Sequence, residues 1–159
     1  MDSDFQDNEK SFREFIEIED GGWKGLKETS IKKNPSDTLL FKYATRNFSE
    51  NGWMVWNFLK SENNILATQL GVKLNGVIYL WKIGFREEFS KVAPGNLLLF
   101  SFIEKCFKDP EIKEVNFLSE MKWLKPWDLE NRRLYNVIIF PKVFLVSNLF
   151  KIYFKIKHF

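Results

Sequence analysis

The sequence contains a single cysteine, Cys106, and a single histidine, His158, which lies next to the C-terminal residue. One cysteine allows no internal disulfide, which fits a reducing compartment. A triad that uses histidine is disfavoured because the one imidazole lies in the tail. One histidine and one cysteine do not form a typical zinc site. We therefore expect neither a bound metal nor histidine-based nucleophilic catalysis.

Long apolar runs and a signal peptide are also missing. No run reaches the ~18 residues that span a bilayer, and the start, Met-Asp-Ser-Asp-Phe-Gln-Asp, is acidic and polar. The formal net charge is only +3, from 24 basic and 21 acidic residues. A nucleic-acid partner is not expected, because such binders carry a stronger and more clustered positive charge. Together these features favour a cytoplasmic protein.

Aromatic and other apolar residues are abundant instead. Apolar residues make up 45% of the sequence and aromatic residues 17%, with seventeen Phe and six Trp. A disordered chain lacks this much apolar surface, so the protein is expected to fold around a core rich in large side chains. A length of 159 residues suits one domain over residues 1–159.

The first half of the sequence predicts two helices followed by strands. One helix is predicted from a Ser3 cap to about Asp20, a loop over residues 23–34, and a second helix from Pro35 to Asn51-Gly52. Asn75-Gly76 is a strong two-residue hairpin signal between apolar, β-branched segments. The sequence therefore predicts an antiparallel meander of three strands, over residues 53–59, 65–74 and 77–85.

A helix separates this meander from the next predicted strand. Pro94-Gly95-Asn96 introduces an apolar helix over residues 97–108. Further strands are predicted at 114–118 and 133–140, with a short helical piece at 119–127 between them. Because the helix makes a crossover, the strands on either side of it can lie parallel. The expected fold class is α/β (α+β), with a mixed, mainly antiparallel sheet and helices on both faces.

The junction between the third strand and this helix is the strongest candidate site. A helix that begins just after a strand presents unpaired main-chain N–H groups and the positive end of its dipole, which together suit a phosphate. Pro94 lies at the edge, Gly95 allows close approach, and main-chain amides are expected from Asn96, Leu97 and Leu98. The alternative is that Pro-Gly only forms a tight helix start.

Four segments in order resemble one branch of a known family. They are Gly22-Trp23-Lys24-Gly25, the stretch from Phe85 to Pro94-Gly95, Asn116-Phe117-Leu118 and Lys125-Pro126-Trp127. This set resembles the CelD-like branch of the GNAT acyltransferases, which is related to the Fem-type aminoacyltransferases. The order is followed over about residues 18–141.

The resemblance implies transfer of an acyl group from acyl-CoA to an amine such as an amino sugar. In the GNAT fold the pantetheine arm adds to a splayed strand, and the pyrophosphate lies on the following helix. The resemblance assigns acyl-CoA binding to Val77, Tyr79, Trp81, Pro94, Gly95, Asn96, Leu97 and Leu98. It assigns substrate contact to Trp23 and Lys24.

The sequence departs from the family pattern where reactive groups are usual. Arg86 and Asn116 stand where the family commonly has Asp, and Leu124-Lys125 stands where Tyr-Lys is expected. The remaining candidate catalytic residues are Glu120, Lys125 and Tyr135. A Fem-type aminoacyltransferase and a non-catalytic GNAT-like binding or assembly module remain alternatives, and a homodimer that completes the cleft is also possible.

The tail, residues 143–159, allows two interpretations. Apolar residues alternate with lysine or tyrosine from Phe150 to Lys157, which favours a final strand paired with residues 133–140. Taken as a helix, the tail would be apolar with lysines at one edge. Such a helix predicts a weak contact with an anionic membrane surface.

Overall fold

The computed structural model describes residues 8–62, 64–119 and 122–133. The chain divides into two compact units, Met1–Ser119 and Glu120–Phe159. The first unit contains helices α1 (Asn8–Asp20), α2 (Trp23–Leu26), α3 (Pro35–Glu50) and α4 (Pro94–Lys108), and strands β1 (Met54–Ser61), β2 (Asn64–Leu74), β3 (Val77–Phe85) and β4 (Glu114–Asn116). It also has 3₁₀ helices at Ile31–Lys33 and Glu87–Val92. In the second unit, the described residues contain one 3₁₀ helix, Lys122–Trp127.

The four strands form one sheet in the order β1-β2-β3-β4. The β1–β2 and β2–β3 pairs are antiparallel, and β3–β4 is parallel with α4 as the crossover. Asn75 and Gly76 form the β2–β3 turn with φ angles of 52° and 80°, the left-handed values that their sequence predicts. The predicted meander and the parallel fourth strand are therefore confirmed.

Helices cover both faces of this sheet. A Cβ atom at Gly84 would lie 3.2 Å from the Cα of Glu19 in α1, whereas the next residue, Phe85, contacts Gly95 in α4. Because successive strand residues face opposite sides, α1 and α4 lie on opposite faces. The α1 side holds the aromatic core, formed by Phe12, Phe15, Ile31, Phe41, Met54 and Leu70. The predicted fold class is confirmed.

Some local predictions were wrong or fall outside the described residues. The predicted loop over residues 23–34 contains α2 and a 3₁₀ helix, and β4 ends at Asn116 rather than at residue 118. The Asn34 side chain caps α3 by accepting from the amides of Ser36 and Asp37. The Ser3 cap, the strand over 133–140 and the tail over 143–159 lie outside the description, apart from Arg133. One domain over residues 1–159 stays a prediction.

Candidate functional site at the open edge of β3

Strand β4 covers only the first part of β3. Its three residues pair with Val77, Ile78 and Tyr79, although β3 continues to Phe85. In the part of the chain that the structure describes, no strand pairs with residues 80–85 on the side away from β2. We call this stretch, residues 80–85, the open edge. It leaves main-chain groups available to an extended ligand.

The register decides which β3 residues point toward the open edge. In an antiparallel pair, a residue directs both its N–H and its C=O toward the same side, and successive residues alternate. Lys73 N–H donates to Trp53 O (2.7 Å), and Arg86 N–H donates to Leu66 O (2.9 Å). Odd-numbered residues of β2 therefore bond to β1, and even-numbered ones bond to β3. The β3 partners of the odd-numbered residues, which point away from β2, are Ile78, Leu80, Ile83 and Phe85.

This arrangement changes which strand residues are available to a ligand. Val77 and Tyr79, predicted to bind acyl-CoA, lie in the part paired with β4 and direct their main-chain groups toward β2. Trp81 lies at the register shift opposite Leu70/Gly71, and its ring packs 4.4 Å from that of Phe41. The residues whose main-chain groups point toward the open edge are instead Leu80, Ile83 and Phe85, which the sequence prediction missed. The bulge at Trp81 reverses the alternation of β3 residues that point toward and away from β2, and no residue type in the sequence predicts a bulge there.

The open edge leads into the N-terminus of α4. Ala93, the residue before the helix, has φ 47° and ψ 54°, and its side chain provides no cap. The first turn contains no acidic residue, so the positive end of the helix dipole is not neutralised there. A Cβ atom at Gly95 would lie 3.6 Å from Cδ1 of Phe85, so Gly95 packs beside the last residue of the strand.

The amides of this first turn are only partly available. The N–H groups of Asn96 and Leu97 both donate to Ala93 O, at 3.0 and 3.2 Å. Leu98 is buried in the core and Pro94 has no N–H group. Within the described residues, the Gly95 amide has no main-chain acceptor. The phosphate contacts predicted for Asn96, Leu97 and Leu98 stay predictions, and the Gly95 amide is the donor of this turn that has no main-chain partner within the described residues.

Arg86 and Asn116, which stand where the resemblance leads us to expect acids, make local hydrogen bonds. Arg86 Nε donates to Ile65 O at 3.0 Å, which ties the end of β3 to β2. Asn116 Oδ1 accepts from Leu118 N at 2.9 Å, and its Nδ2 donates to Glu114 Oε1 at 3.1 Å. Both side chains therefore stabilise the ends of the strands that border the open edge.

Lys24 lies at the far end of the open edge and does not extend freely into solvent. Its Nζ lies 2.9 Å from Oε1 of Glu19, whose side chain is 1% exposed, and 3.4 Å from Ile83 O. Trp23, the other predicted substrate residue, begins α2. The role of Glu19 escaped sequence reasoning because glutamate is almost never fully buried unless it is paired.

The predicted catalytic residues Glu120, Lys125 and Tyr135 all belong to the second unit of the chain. Glu120 and Tyr135 lie outside the described residues, and Lys125 is an exposed residue of the 3₁₀ helix in the second unit. Burial raises the pKa of the Cys106 thiol to about 11, so this side chain is a core residue rather than a nucleophile. Among the described side chains, no group of three or more His, Cys, Asp or Glu is arranged to hold a metal.

The family model for the acetyltransferase (GNAT) domain matches residues 2–122 of the chain. None of the curated proteins matches the sequence. Of the described helices, none has the length and apolar character needed to cross a bilayer.

Two solved structures share the fold. A possible acetyltransferase from Clostridium difficile 630 has a TM-score of 0.60 and 12% identity, over 83% of this chain and 93% of its own. An aminoglycoside acetyltransferase from an uncultured soil metagenomic sample, solved in complex with sisomicin, has a TM-score of 0.57 and 12% identity. The match covers 86% of this chain and 92% of that one. At this identity the likeness extends to the fold alone.

Proposed function

Because this chain belongs to the acetyltransferase (GNAT) domain family, we propose that it transfers an acyl group, acetyl in the first instance, from acyl-CoA to an amine. One observation carries the proposal: β3 has an open edge, and its last residue, Phe85, packs beside Gly95 at the N-terminus of α4. An extended ligand with a phosphate at one end matches both features, because the strand offers main-chain pairing and the helix offers an amide and a dipole.

The residues at the edge suit acyl-CoA. The pantetheine arm carries amide groups that pair with a strand, and the outward C=O of Leu80 and the outward N–H of Ile83 lie clear of β4. The pyrophosphate would lie at Gly95, where the missing side chain lets an anion approach the amide. No acidic side chain lies in the first turn of α4 to repel it.

The bound acyl-CoA supplies a thioester whose carbonyl carbon is attacked by the neutral amine of the acceptor. A C–N bond forms, the C–S bond breaks, and the proton lost by the amine balances the CoA thiol that leaves. An outward main-chain N–H of β3 is suited to stabilise the oxyanion that forms on the way. For removal of the proton we retain Glu120, Lys125 and Tyr135 as candidates.

The acceptor we propose is a small amine or an amino sugar. The soil metagenomic acetyltransferase that shares the fold was solved with sisomicin, which supports this class of acceptor as the first to test. Nucleic acid is not proposed as a partner, since the net charge is only +3. We place the reaction in the cytoplasm, where acyl-CoA is made and where the single thiol stays reduced.

A second candidate is a module that binds acyl-CoA without transferring the acyl group. Arg86 and Asn116 favour it, because they replace the acids usual in the family and are held by Ile65, Leu118 and Glu114. Residues that are already hydrogen-bonded to their neighbours are poor acid or base catalysts for an incoming amine.

Titration calorimetry with acetyl-CoA and with free CoA tests the donor site. Binding tighter than millimolar is expected for both ligands, and no heat at millimolar ligand would overturn the acyltransferase and the binding module together. Release of the CoA thiol from acetyl-CoA, followed with a panel of aminoglycosides and small amines, separates these two candidates. Binding without thiol release would favour the module.

A further inference from the structure

The turn between α1 and α2 is anchored by a buried carboxylate. Glu19 Oε2 accepts from Ile31 N–H at 2.8 Å, while Oε1 accepts from the Lys24 ammonium at 2.9 Å. Gly84 packs against the Cα of Glu19, where a side chain would crowd the α1 backbone. The ammonium of Lys24 is therefore held at a fixed position beside β3, with its charge balanced by Glu19.

This turn covers the last outward-pointing groups of the open edge. Ile83 directs its carbonyl away from β2, and Lys24 Nζ lies 3.4 Å from that oxygen. A Cβ atom at Gly22 would lie 3.0 Å from Phe85 O, so the turn's main chain comes close to the next outward carbonyl. The outward C=O of Leu80 and the outward N–H of Ile83 stay clear of the turn and of β4.

We propose that Lys24 is a positioning residue, a stop that keeps an acyl-CoA arm from pairing with the Ile83 carbonyl of β3. This inference rests on the proposed function. With the Ile83 carbonyl held by Lys24 and the Phe85 carbonyl covered by Gly22, an arm that runs from Gly95 along β3 is left the Ile83 N–H and the Leu80 carbonyl. The stop thereby fixes where the acyl group lies relative to Gly95. Lys24 thus acts through the edge of the strand and does not hold the acceptor.

The neutralised charge of Lys24 supports this role. An unpaired ammonium beside the edge would attract the phosphates of CoA away from α4, whereas a lysine paired with a buried glutamate attracts them much less. An ammonium has three donor groups, so it can bond Glu19 and Ile83 at the same time. The stop therefore uses two side chains, Glu19 as the buried anchor and Lys24 as the donor to the edge carbonyl.

The test removes the ammonium without leaving a buried charge. In the double variant Glu19→Gln/Lys24→Met, the Gln oxygen still accepts from Ile31 N–H. Both charges of the ion pair are removed, so neither is left buried without its partner. A matched control is Glu17→Gln/Lys32→Met, which removes another lysine–glutamate pair of 2.7 Å from the same region. Calorimetry compares acetyl-CoA with 3′-phosphoadenosine 5′-diphosphate, the nucleotide half of CoA, which lacks the arm.

Removing the stop frees the Ile83 carbonyl for the arm. One added hydrogen bond should raise the affinity for acetyl-CoA about two- to tenfold in the Glu19→Gln/Lys24→Met variant, while the affinity for the nucleotide half stays the same. The control variant should match the unaltered chain for both ligands. Unchanged or weaker acetyl-CoA binding in the test variant would overturn the role of Lys24. If the unaltered chain binds neither ligand, the proposed function fails and this role fails with it.

A second variant keeps the test valid if the double variant does not fold. Lys24→Gln retains an amide donor for Glu19, but the shorter side chain cannot reach the Ile83 carbonyl as well. Its fold is checked by circular dichroism, and acetyl-CoA should again bind more tightly than to the unaltered chain. Equal affinity in a folded Lys24→Gln variant would contradict the proposal on its own.

Discussion

A Cβ atom added to Gly95 would lie 3.6 Å from Cδ1 of Phe85, an ordinary van der Waals distance. The packing at the start of α4 therefore has room for a small side chain. Since no positive φ is recorded for Gly95, its backbone does not require glycine either. Access to its amide is therefore what glycine offers a ligand at this position, which makes Gly95 a suitable place to test ligand binding.

The first prediction is that Gly95→Glu abolishes CoA binding while the chain still folds. A carboxylate in the first turn of a helix is favourable for folding because of the helix dipole, so lost binding would report repulsion of the phosphates. Gly95→Ala is the matched control. It is expected to fold and to gain ~0.5–1 kcal/mol in unfolding free energy, and its binding of CoA should be only modestly weaker. Calorimetry at neutral pH measures both, and unchanged CoA affinity in Gly95→Glu would move the phosphate site elsewhere.

The second prediction concerns Gly25, next to Lys24. A Cβ atom there would overlap the main-chain oxygen of Asp20, so the backbone must shift to accept any side chain. We expect Gly25→Ala to lower the unfolding free energy by about 3 kcal/mol or more.

The control for Gly25 is Gly21→Ala, on the same turn. Its added Cβ would meet Glu17 O at 3.3 Å, which a small adjustment relieves, so a loss below about 1 kcal/mol is expected. Urea unfolding followed by circular dichroism compares the two variants. Equal transition midpoints would show that the turn adapts and that Gly25 is not needed for its shape.

The order of elements followed directly from local signals in the sequence. Asn75-Gly76 adopts the positive φ angles that its residues permit, and Pro94 opens α4 as its fixed φ angle favours. These features depend on a few neighbouring residues, so the sequence alone determines them. The meander, the crossover helix and the parallel strand were therefore predictable.

The details of the site depend on residues far apart in the sequence. The bulge at Trp81 and the early end of β4 at Asn116 decide which main-chain groups are free, and no residue type encodes either of them. The burial of Glu19 depends on Ile31 and Lys24 together. The strand and the helix start that the sequence predicts are present as β3 and α4, whereas the residues along them that bind a ligand stay a prediction.

The third prediction concerns Gln69, at the centre of the sheet. Its side chain is fully buried, and neither amide atom has a hydrogen-bond partner within the described structure. Asn57, the β1 residue that pairs with Gln69, also has a buried Nδ2 without a partner in the described structure. Because an unsatisfied buried amide costs about 1–3 kcal/mol, Gln69→Met should raise the unfolding free energy by up to that amount.

Thr68→Val is the companion test for Gln69→Met, since Thr68 Oγ1 is also buried without a partner but lies on the other face. A similar rise in unfolding free energy is expected for Thr68→Val, measured by urea unfolding. If Gln69→Met instead loses more than about 1 kcal/mol, the amide of Gln69 has a partner in solution, such as a buried water.

The fourth prediction is a pH dependence that arises from Cys106. Burial raises the pKa of this thiol from 9.0 to about 11. In the unfolded chain the thiol loses its proton near pH 9, whereas the folded chain keeps it until about pH 11. The stability that the neutral thiol contributes is therefore fully present below pH 9 and is lost as pH rises from 9 to 11.

The difference between the unaltered chain and Cys106→Ala isolates this effect, because the lysines that also titrate in this range are common to both. Cys106→Ala should have a lower unfolding free energy than the unaltered chain at pH 8, since it leaves a small cavity. The difference in unfolding free energy between the two should narrow toward pH 11. The same burial predicts that a thiol reagent at pH 8 modifies Cys106 only as fast as the chain opens. The prediction fails if the difference in unfolding free energy is constant with pH and the folded chain is modified rapidly. That outcome would mean that the thiol is accessible and that α4 packs less tightly on the sheet than the structure shows.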